Sequence, residues 1–315
     1  MTLKKITASI ILIFSIFCSY AQSTHNVTDI EKKYKEARNF FLKSEYEQAY
    51  PILKELTKEY AENSKTNFSY IYDDVNYFYV VCELNLQIGN AENDAINYVN
   101  ESNNNIRIQE LSFHLAHYYY VNQQYEKAVD YFNKAQFNKL SKSDLYNSKY
   151  EKAYSLFCLK NFSDAKPLFK ELSLIKNEKY FEASNYYYGF IAYADKEYDN
   201  AFTAFKLVEQ AEDYNQVVPY YIAELLYLQN KKNEALIYCD SVLKSNTQLY
   251  YEANMQLLLG QLYFEKENYE KALVCFEAYL KQNQKVSKEI MYDLSYCYYK
   301  VNNSKLAIES ELEYL

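Results

Sequence analysis

One short pattern recurs along this chain and limits what it can fold into. An aromatic residue is followed by two residues, an alanine, three more residues and a large apolar side chain. It appears as Tyr46-Glu-Gln-Ala49 with Leu53, Tyr125-Glu-Lys-Ala128 with Phe132, Phe162-Ser-Asp-Ala165 with Phe169, Tyr198-Asp-Asn-Ala201 with Phe205, and Tyr269-Glu-Lys-Ala272 with Phe276. Weaker copies keep the alanine at Ala235 and Ala307, and the most degenerate centres on Ala95. The anchor alanines are spaced 46, 33, 37, 36, 34, 37 and 35 residues apart. A period of this length marks a stacked structural unit that cannot bury its apolar face alone. Only 3 glycines and 3 prolines occur in 315 residues. That is too few for the turns of a sheet-rich domain or for glycine-rich phosphate loops, so the expectation is all-α.

With each anchor alanine numbered position 20, position 8 is Ala37, Ala116, Ala153, Gly189, Ala223, Gly260 and Ser295, all small. The second unit has Glu83 there and is atypical or shifted in register. Small residues at 8 and 20 let two helices approach closely, and large side chains at 11, 17 and 24 fill the space beside them. On these positions the chain resembles the tetratricopeptide repeat family, a helix–turn–helix unit, over about residues 31–315. The resemblance implies a right-handed α-solenoid of about eight units. It departs from the family pattern in lacking tryptophan, in lacking the usual late proline, and in its 46-residue first spacing, which implies a linker near Glu62–Tyr70. Pro51, Pro167 and Pro219 are expected in first helical turns, where the missing N–H costs nothing. The eighth unit stops at Leu315 with its second helix barely complete. No polar capping helix follows, as expected of the front part of a longer protein or of an end that docks on something.

Residues 1–21 have a positive start (Lys4, Lys5), an apolar run from Ile6 to Phe17 and a Ser-Tyr-Ala junction, the pattern of a signal peptide cleaved before Gln22. Residues 22–30 are expected to be a flexible lead-in. Export of the chain to the periplasm, with a possible peripheral place at the outer membrane, follows, and no later stretch is apolar enough to span a bilayer. The full chain carries a formal charge of −8, and loss of the two lysines leaves it more acidic, which disfavours nucleic-acid partners. Cys82, Cys158, Cys239, Cys275 and Cys297 are odd in number and widely spaced. They read as small buried helix residues, with one inter-repeat disulfide left open.

No catalytic, cofactor or metal residues are expected. His114 and His117 share a helix at i, i+3 but read as surface residues, and Asp73-Asp74, Glu309 and Glu311 read as solvated acids. The family resemblance places positions 5, 9 and 12 on a concave wall. Those positions hold Tyr150, Tyr154 and Phe157, then Tyr186, Phe190 and Tyr193, then Tyr220 and Tyr227, then Phe264, and finally Tyr292, Tyr296 and Tyr299. This predicts an aromatic ladder centred on Tyr186, Tyr193, Tyr220 and Tyr227, which either packs the helices or binds a partner. The only cations on the wall positions are Arg38 and Lys300, far apart, so a neutral or basic ligand is favoured over a carboxylate. The resemblance to envelope repeat proteins of Bacteroidota implies a non-enzymatic periplasmic scaffold for envelope, secretion or motility machinery, with a protein or peptide in the groove. The alternative is a glycan- or peptidoglycan-associated binding module.

Overall fold

The computed structural model describes residues 29–62, 69–135, 140–176, 178–245, 248–282, 287–302 and 306–308. The signal segment, most of the 22–30 lead-in, Glu309 and Glu311 lie outside the described residues, as does 63–68 of the expected linker. The described residues form helices and turns, with no strand among them.

The chain divides into two compact units between Lys160 and Asn161. The first contains α1 (29–42), α2 (Tyr46–Glu62), α3 (Ser69–Leu86), α4 (Ala91–Glu101), α5 (Asn105–Val121), α6 (Tyr125–Lys134) and α7 (Lys142–Cys158). The second contains α8 (Phe162–Ser173), α9 (Phe181–Ala194), α10 (Tyr198–Val208), α11 (Val218–Leu228), α12 (Lys232–Lys244), α13 (Glu252–Glu265), α14 (Tyr269–Gln282), α15 (Lys288–Lys300) and a helical stretch at 306–308. First helices of the repeats (α1, α3, α5 and onward) alternate with second helices (α2, α4, α6 and onward). The long first spacing is largely helix, since α2 and α3 run 17 and 18 residues.

The core follows the repeat positions. Ala37, Ala49, Ala95, Ala116 and Ala128 are fully buried in the first unit, and Ala201, Ala223, Ala235 and Ala272 in the second. Leu53 and Phe132, then Phe205 and Phe276, fill the space those alanines leave, and all four are fully buried. Gly189 and Gly260 fit the same logic, because a Cβ on either would press into the ring of Phe205 or Phe276.

Each turn between paired helices contains one left-handed residue. These are Ser44, Gln123, Lys160, Lys196, Asn230, Glu267 and Asn302, with φ between 58° and 62°. Each lies five residues before its anchor alanine. The second repeat departs, with Gln87 and Gly89 at positive φ, which agrees with the Glu83 irregularity. The conformation closes a helix C-cap with paired backbone bonds. In the fifth repeat Lys196 N–H donates to Tyr193 O at 3.0 Å and Glu197 N–H to Ala192 O at 2.8 Å. The sixth and seventh repeat it with Asn230 to Tyr227, Lys231 to Leu226, Glu267 to Phe264 and Asn268 to Tyr263.

Two expectations are corrected here. Pro51 and Pro167 lie inside α2 and α8, at the sixth residue of each, and not in the first turn. Second helices begin at the aromatic residue of the repeat pattern, one turn earlier than the proline argument required. Both prolines are exposed, so the carbonyls of Glu47 and Ser163 that lose a donor face water. Only Pro219, at the start of α11, fits the rule. Among the cysteines, Cys82, Cys239, Cys275 and Cys297 are buried as expected, but Cys158 is exposed; all five are free thiols.

Candidate functional site

The capped turn that ends each first helix is what positions the wall aromatics. Position 12 supplies the carbonyl that accepts from the left-handed residue, so Tyr193, Tyr227 and Phe264 sit in a last turn held by the backbone. Their side chains leave the core face, since position 11 of the same turn (Ala192, Leu226, Tyr263) is the one buried.

In the second unit the expected residues form two groups and not one continuous ladder. In the first, Tyr186 stacks on Tyr214 with centroids 4.6 Å apart. Phe190 and Tyr193 meet the edge of Tyr221 at 6.2 and 5.5 Å. Tyr220 contacts Tyr221 at 5.6 Å and Tyr251 at 5.2 Å. Burial, together with the charge of the Glu224 carboxylate, pushes the phenols of Tyr193 and Tyr220 well above the usual range. They stay protonated donors through the physiological pH range. In the second group Phe264 meets Tyr296 at 5.8 Å, Tyr292 stacks on Tyr296 at 6.4 Å, and Tyr299 lies 6.5 Å from Tyr296. Tyr292 and Tyr299 are 53% and 66% exposed. Lys300, one of the two wall cations, lies over the rings of Tyr269 and Tyr296. Tyr227 joins neither group: its phenol donates to Glu265 at 3.1 Å, and Lys232 closes an ion pair with that acid at 2.8 Å.

Position counting missed Tyr214, Tyr221, Tyr251 and Glu224. Tyr214 and Tyr251 come from turns before α11 and α13, where the repeat has no fixed register. Tyr221 is at position 6, where it stacks on the buried Phe205 at 5.4 Å. Tyr187, its counterpart in the fifth repeat, stacks on Phe169 at 5.2 Å. Position 6 is therefore a packing position and not a solvent-facing one. The only advance signal for Glu224 was its place at position 9.

In the first unit Tyr150, Tyr154 and Phe157 share one side of α7. Tyr154 stacks on Tyr150 at 6.2 Å and takes edge contacts from Tyr120 and Tyr125. Beside them α3, α5 and α7 enclose a cavity of about 380 Å³ lined by Tyr77, Glu110, Phe113, His114, His117 and Glu151, among others. His117 is 44% exposed, in line with the surface expectation, but it is paired, and His114 is half-buried and so departs from that expectation. His117 Nδ1 lies 2.9 Å from both oxygens of the buried Glu151 carboxylate. His114 sits against Asn85, and burial, with His117 nearby, pushes its imidazole down to about 3, so it is neutral. The acidic pair is not simply solvated either. Asp73 accepts from Tyr98, Ser102 and Asn104, and Asp74 from Tyr34 and Arg107. Among the described residues no group of three His, Cys, Asp or Glu is placed to hold a metal ion, and no helix is long and apolar enough to cross a membrane.

Residues 257–315 match the tetratricopeptide repeat family model. The helix pairs before them repeat the same small positions, buried anchors and capped turns, so the fold is a tetratricopeptide-type α-solenoid. Solved structures similar to this chain include a tetratricopeptide repeat protein from Parabacteroides merdae, at 14% identity over 85% of this chain and 98% of that one (TM-score 0.41). The apo form of RapI is similar at 17% identity over 89% and 95% (TM-score 0.44). MamA from Desulfovibrio magneticus RS-1 is similar at 18% identity over 56% and 94% (TM-score 0.44). No curated protein matches the sequence.

Proposed function

We propose that this protein is a non-enzymatic interaction scaffold, exported to the periplasm, that holds an extended protein segment along the tyrosine-rich wall of its first helices. The segment is neutral or basic, and the assembly served is envelope, secretion or surface-motility machinery. A tetratricopeptide fold supports protein–protein interaction in general. The observation that carries the finer reading is the wall itself. Phe190, Tyr193, Tyr220 and Tyr227 are only partly buried, and Tyr292 and Tyr299 are largely open, whereas Phe205 and Phe276 on the second helices of these repeats are fully buried. Tyrosine presents a rigid apolar face and a hydroxyl at low entropic cost, which suits a peptide surface. A glycan site would gather aromatic faces, amides and carboxylates in one spot. Here the aromatic surface spreads over α9, α11, α13 and α15, which favours an extended protein segment.

The test is affinity capture from the native envelope after mild crosslinking. Wild type is compared with a variant carrying Tyr→Ala at 186, 193, 220 and 227, shown by circular dichroism to be folded. Proteins captured by wild type and lost from the variant support the wall as the binding surface. Equal capture by both assigns the aromatics to packing. Capture of no protein, with retention on peptidoglycan, favours the glycan module.

A further inference from the structure

Glu224 stands out on the tyrosine wall. It projects from α11 at position 9, is partly exposed, and lies one helical turn after Tyr220 on the same face, with Tyr193 of α9 packed against the edge of the neighbouring Tyr221 at 5.5 Å. Among the described residues no lysine or arginine pairs with it. Three lysines of the same unit are committed to other acids: Lys232 to Glu265, Lys166 to Asp195 and Glu197, and Lys206 to Glu209. An ionised carboxylate offers about four lone-pair directions, and a partly exposed one has acceptor capacity open to a partner. The tyrosine rings on this wall have electron-rich faces that attract cations. A carboxylate with spare acceptor capacity on a wall of such rings complements one kind of group, a basic side chain.

Building on the scaffold reading above, we infer that the wall formed by α9 and α11 receives a lysine or arginine side chain of the partner segment. Its charged end rests on Glu224 and its apolar stem lies against Tyr193 and Tyr220. The long stems of both residues favour lying along apolar surface with the charge at the tip. Arginine fits best, because its planar guanidinium can meet the carboxylate through two hydrogen bonds while stacking on a ring. Uncharged residues on either side of the basic one suit the rest of the wall, where Tyr186, Phe190, Tyr214 and Tyr251 offer ring faces and edges. A segment with an acidic side chain at that point is disfavoured by like charge.

The test is selection of random twelve-residue peptides on the immobilised chain, followed by measurement of Kd for the enriched peptides on three proteins. These are wild type, Glu224→Gln, and Glu212→Gln, which removes the same charge from an exposed position in the turn before α11. The expected result is a set of peptides sharing one Arg or Lys among uncharged neighbours. Glu224→Gln should weaken them roughly tenfold to a hundredfold, the range for losing a charged hydrogen bond. Glu212→Gln should leave them unchanged. Replacing the basic residue of the peptide with norleucine should cause a similar loss, and that arm does not depend on the folding of any variant. Enriched peptides without a shared basic residue, or with equal affinity for Glu224→Gln, would overturn this inference and leave the groove reading standing. Failure to enrich any peptide would count against the groove reading itself, and with it this inference.

Discussion

Gly260 gives the most direct test of how the repeats are packed. It lies in α13 against α14, and a Cβ there would stand 2.7 and 2.8 Å from Cε1 and Cδ1 of Phe276 and 3.2 Å from the Cβ of Cys275. Carbon atoms in contact prefer about 3.5–4.0 Å, so Gly260→Ala requires the ring to retreat by roughly 0.7–1 Å. Phe276 is fully buried, so that retreat presses on other core side chains. Overpacking of this kind costs about 1–3 kcal/mol. Alanine recovers about 0.8–1 kcal/mol in helix propensity. The net expectation is a loss of up to about 2 kcal/mol. Phe276→Leu removes the ring from the collision, and in that background Gly260→Ala should become stabilising by the propensity gain alone. The coupling in the double-mutant cycle is then about 1–3 kcal/mol, the overpacking cost itself. Repeat arrays need not unfold in one step, so urea titration by circular dichroism should be paired with hydrogen exchange of α13 and α14. If Gly260→Ala stabilises equally in both backgrounds, close approach to Phe276 is not what keeps position 8 free of a methyl group.

Glu83 is buried with one carboxylate oxygen lacking a hydrogen-bond partner, and its pKa is raised, chiefly by burial. A carboxyl whose pKa is higher in the fold than in the unfolded chain holds its proton more tightly when folded. Its destabilising effect is therefore absent below the unfolded value near 4.5 and grows as pH rises through the folded one. Glu83→Gln should be neutral near pH 4 and stabilising by about 1–3 kcal/mol at pH 8, as read from denaturation midpoints across pH. A thiol reagent applied to the native protein without its signal segment should label one cysteine quickly. That one is the exposed Cys158; Cys82, Cys239 and Cys297, pushed up to about 12 by burial, and Cys275, pushed up to about 11, should react only on unfolding. Glu267→Gly should raise stability by about 0.5–1 kcal/mol, because a left-handed residue with a Cβ costs about 1–2 kcal/mol and glycine returns part of that as unfolded-state entropy. A fall in the urea midpoint would contradict this.

The repeat spacing identified the architecture because it records packing directly. Ala49, Ala201 and Phe205 are what two close helices require, whatever surrounds them. What the pattern did not reveal lay where the backbone and distant contacts decide. The left-handed turns escaped notice because Ser44, Lys196 and Glu267 are not glycines; the paired cap bonds hold them there. Pro51 and Pro167 were misplaced because the aromatic residue opening each second helix already counts as helix. His117 and Glu151 lie 34 residues apart, so their pairing belongs to the stacking of α5 on α7 and not to any local motif. Position counting picked out the aromatics of the last turns, but their grouping depends on Tyr214 and Tyr251, which come from turns of variable length.

The tyrosine excess has a structural cause that bears on the wall. Among the described residues seven phenols donate to carboxylates on, or at the end of, a neighbouring helix: Tyr34 to Asp74, Tyr50 to Glu83, Tyr98 to Asp73 and Tyr119 to Glu92 in the first unit, and Tyr238 to Glu209, Tyr298 to Glu277 and Tyr227 to Glu265 in the second. Most of these rings are buried or nearly so, and the hydroxyl reaches an acid at the core edge. Phenylalanine would fill the volume but leave the acid without its donor, and a buried or half-buried acceptor without a donor costs about 1–3 kcal/mol. Tyrosine and acid therefore occur together at these places in an acidic chain with 39 tyrosines. Some of these acids also have a cation: Arg107 for Asp74, Lys127 for Glu92, Lys232 for Glu265. Among the described residues Glu224 has no such cation, on a face whose rings are only partly buried. On the inference drawn above, a basic side chain from a partner would supply at Glu224 the cation that Arg107 supplies to Asp74 and Lys232 to Glu265.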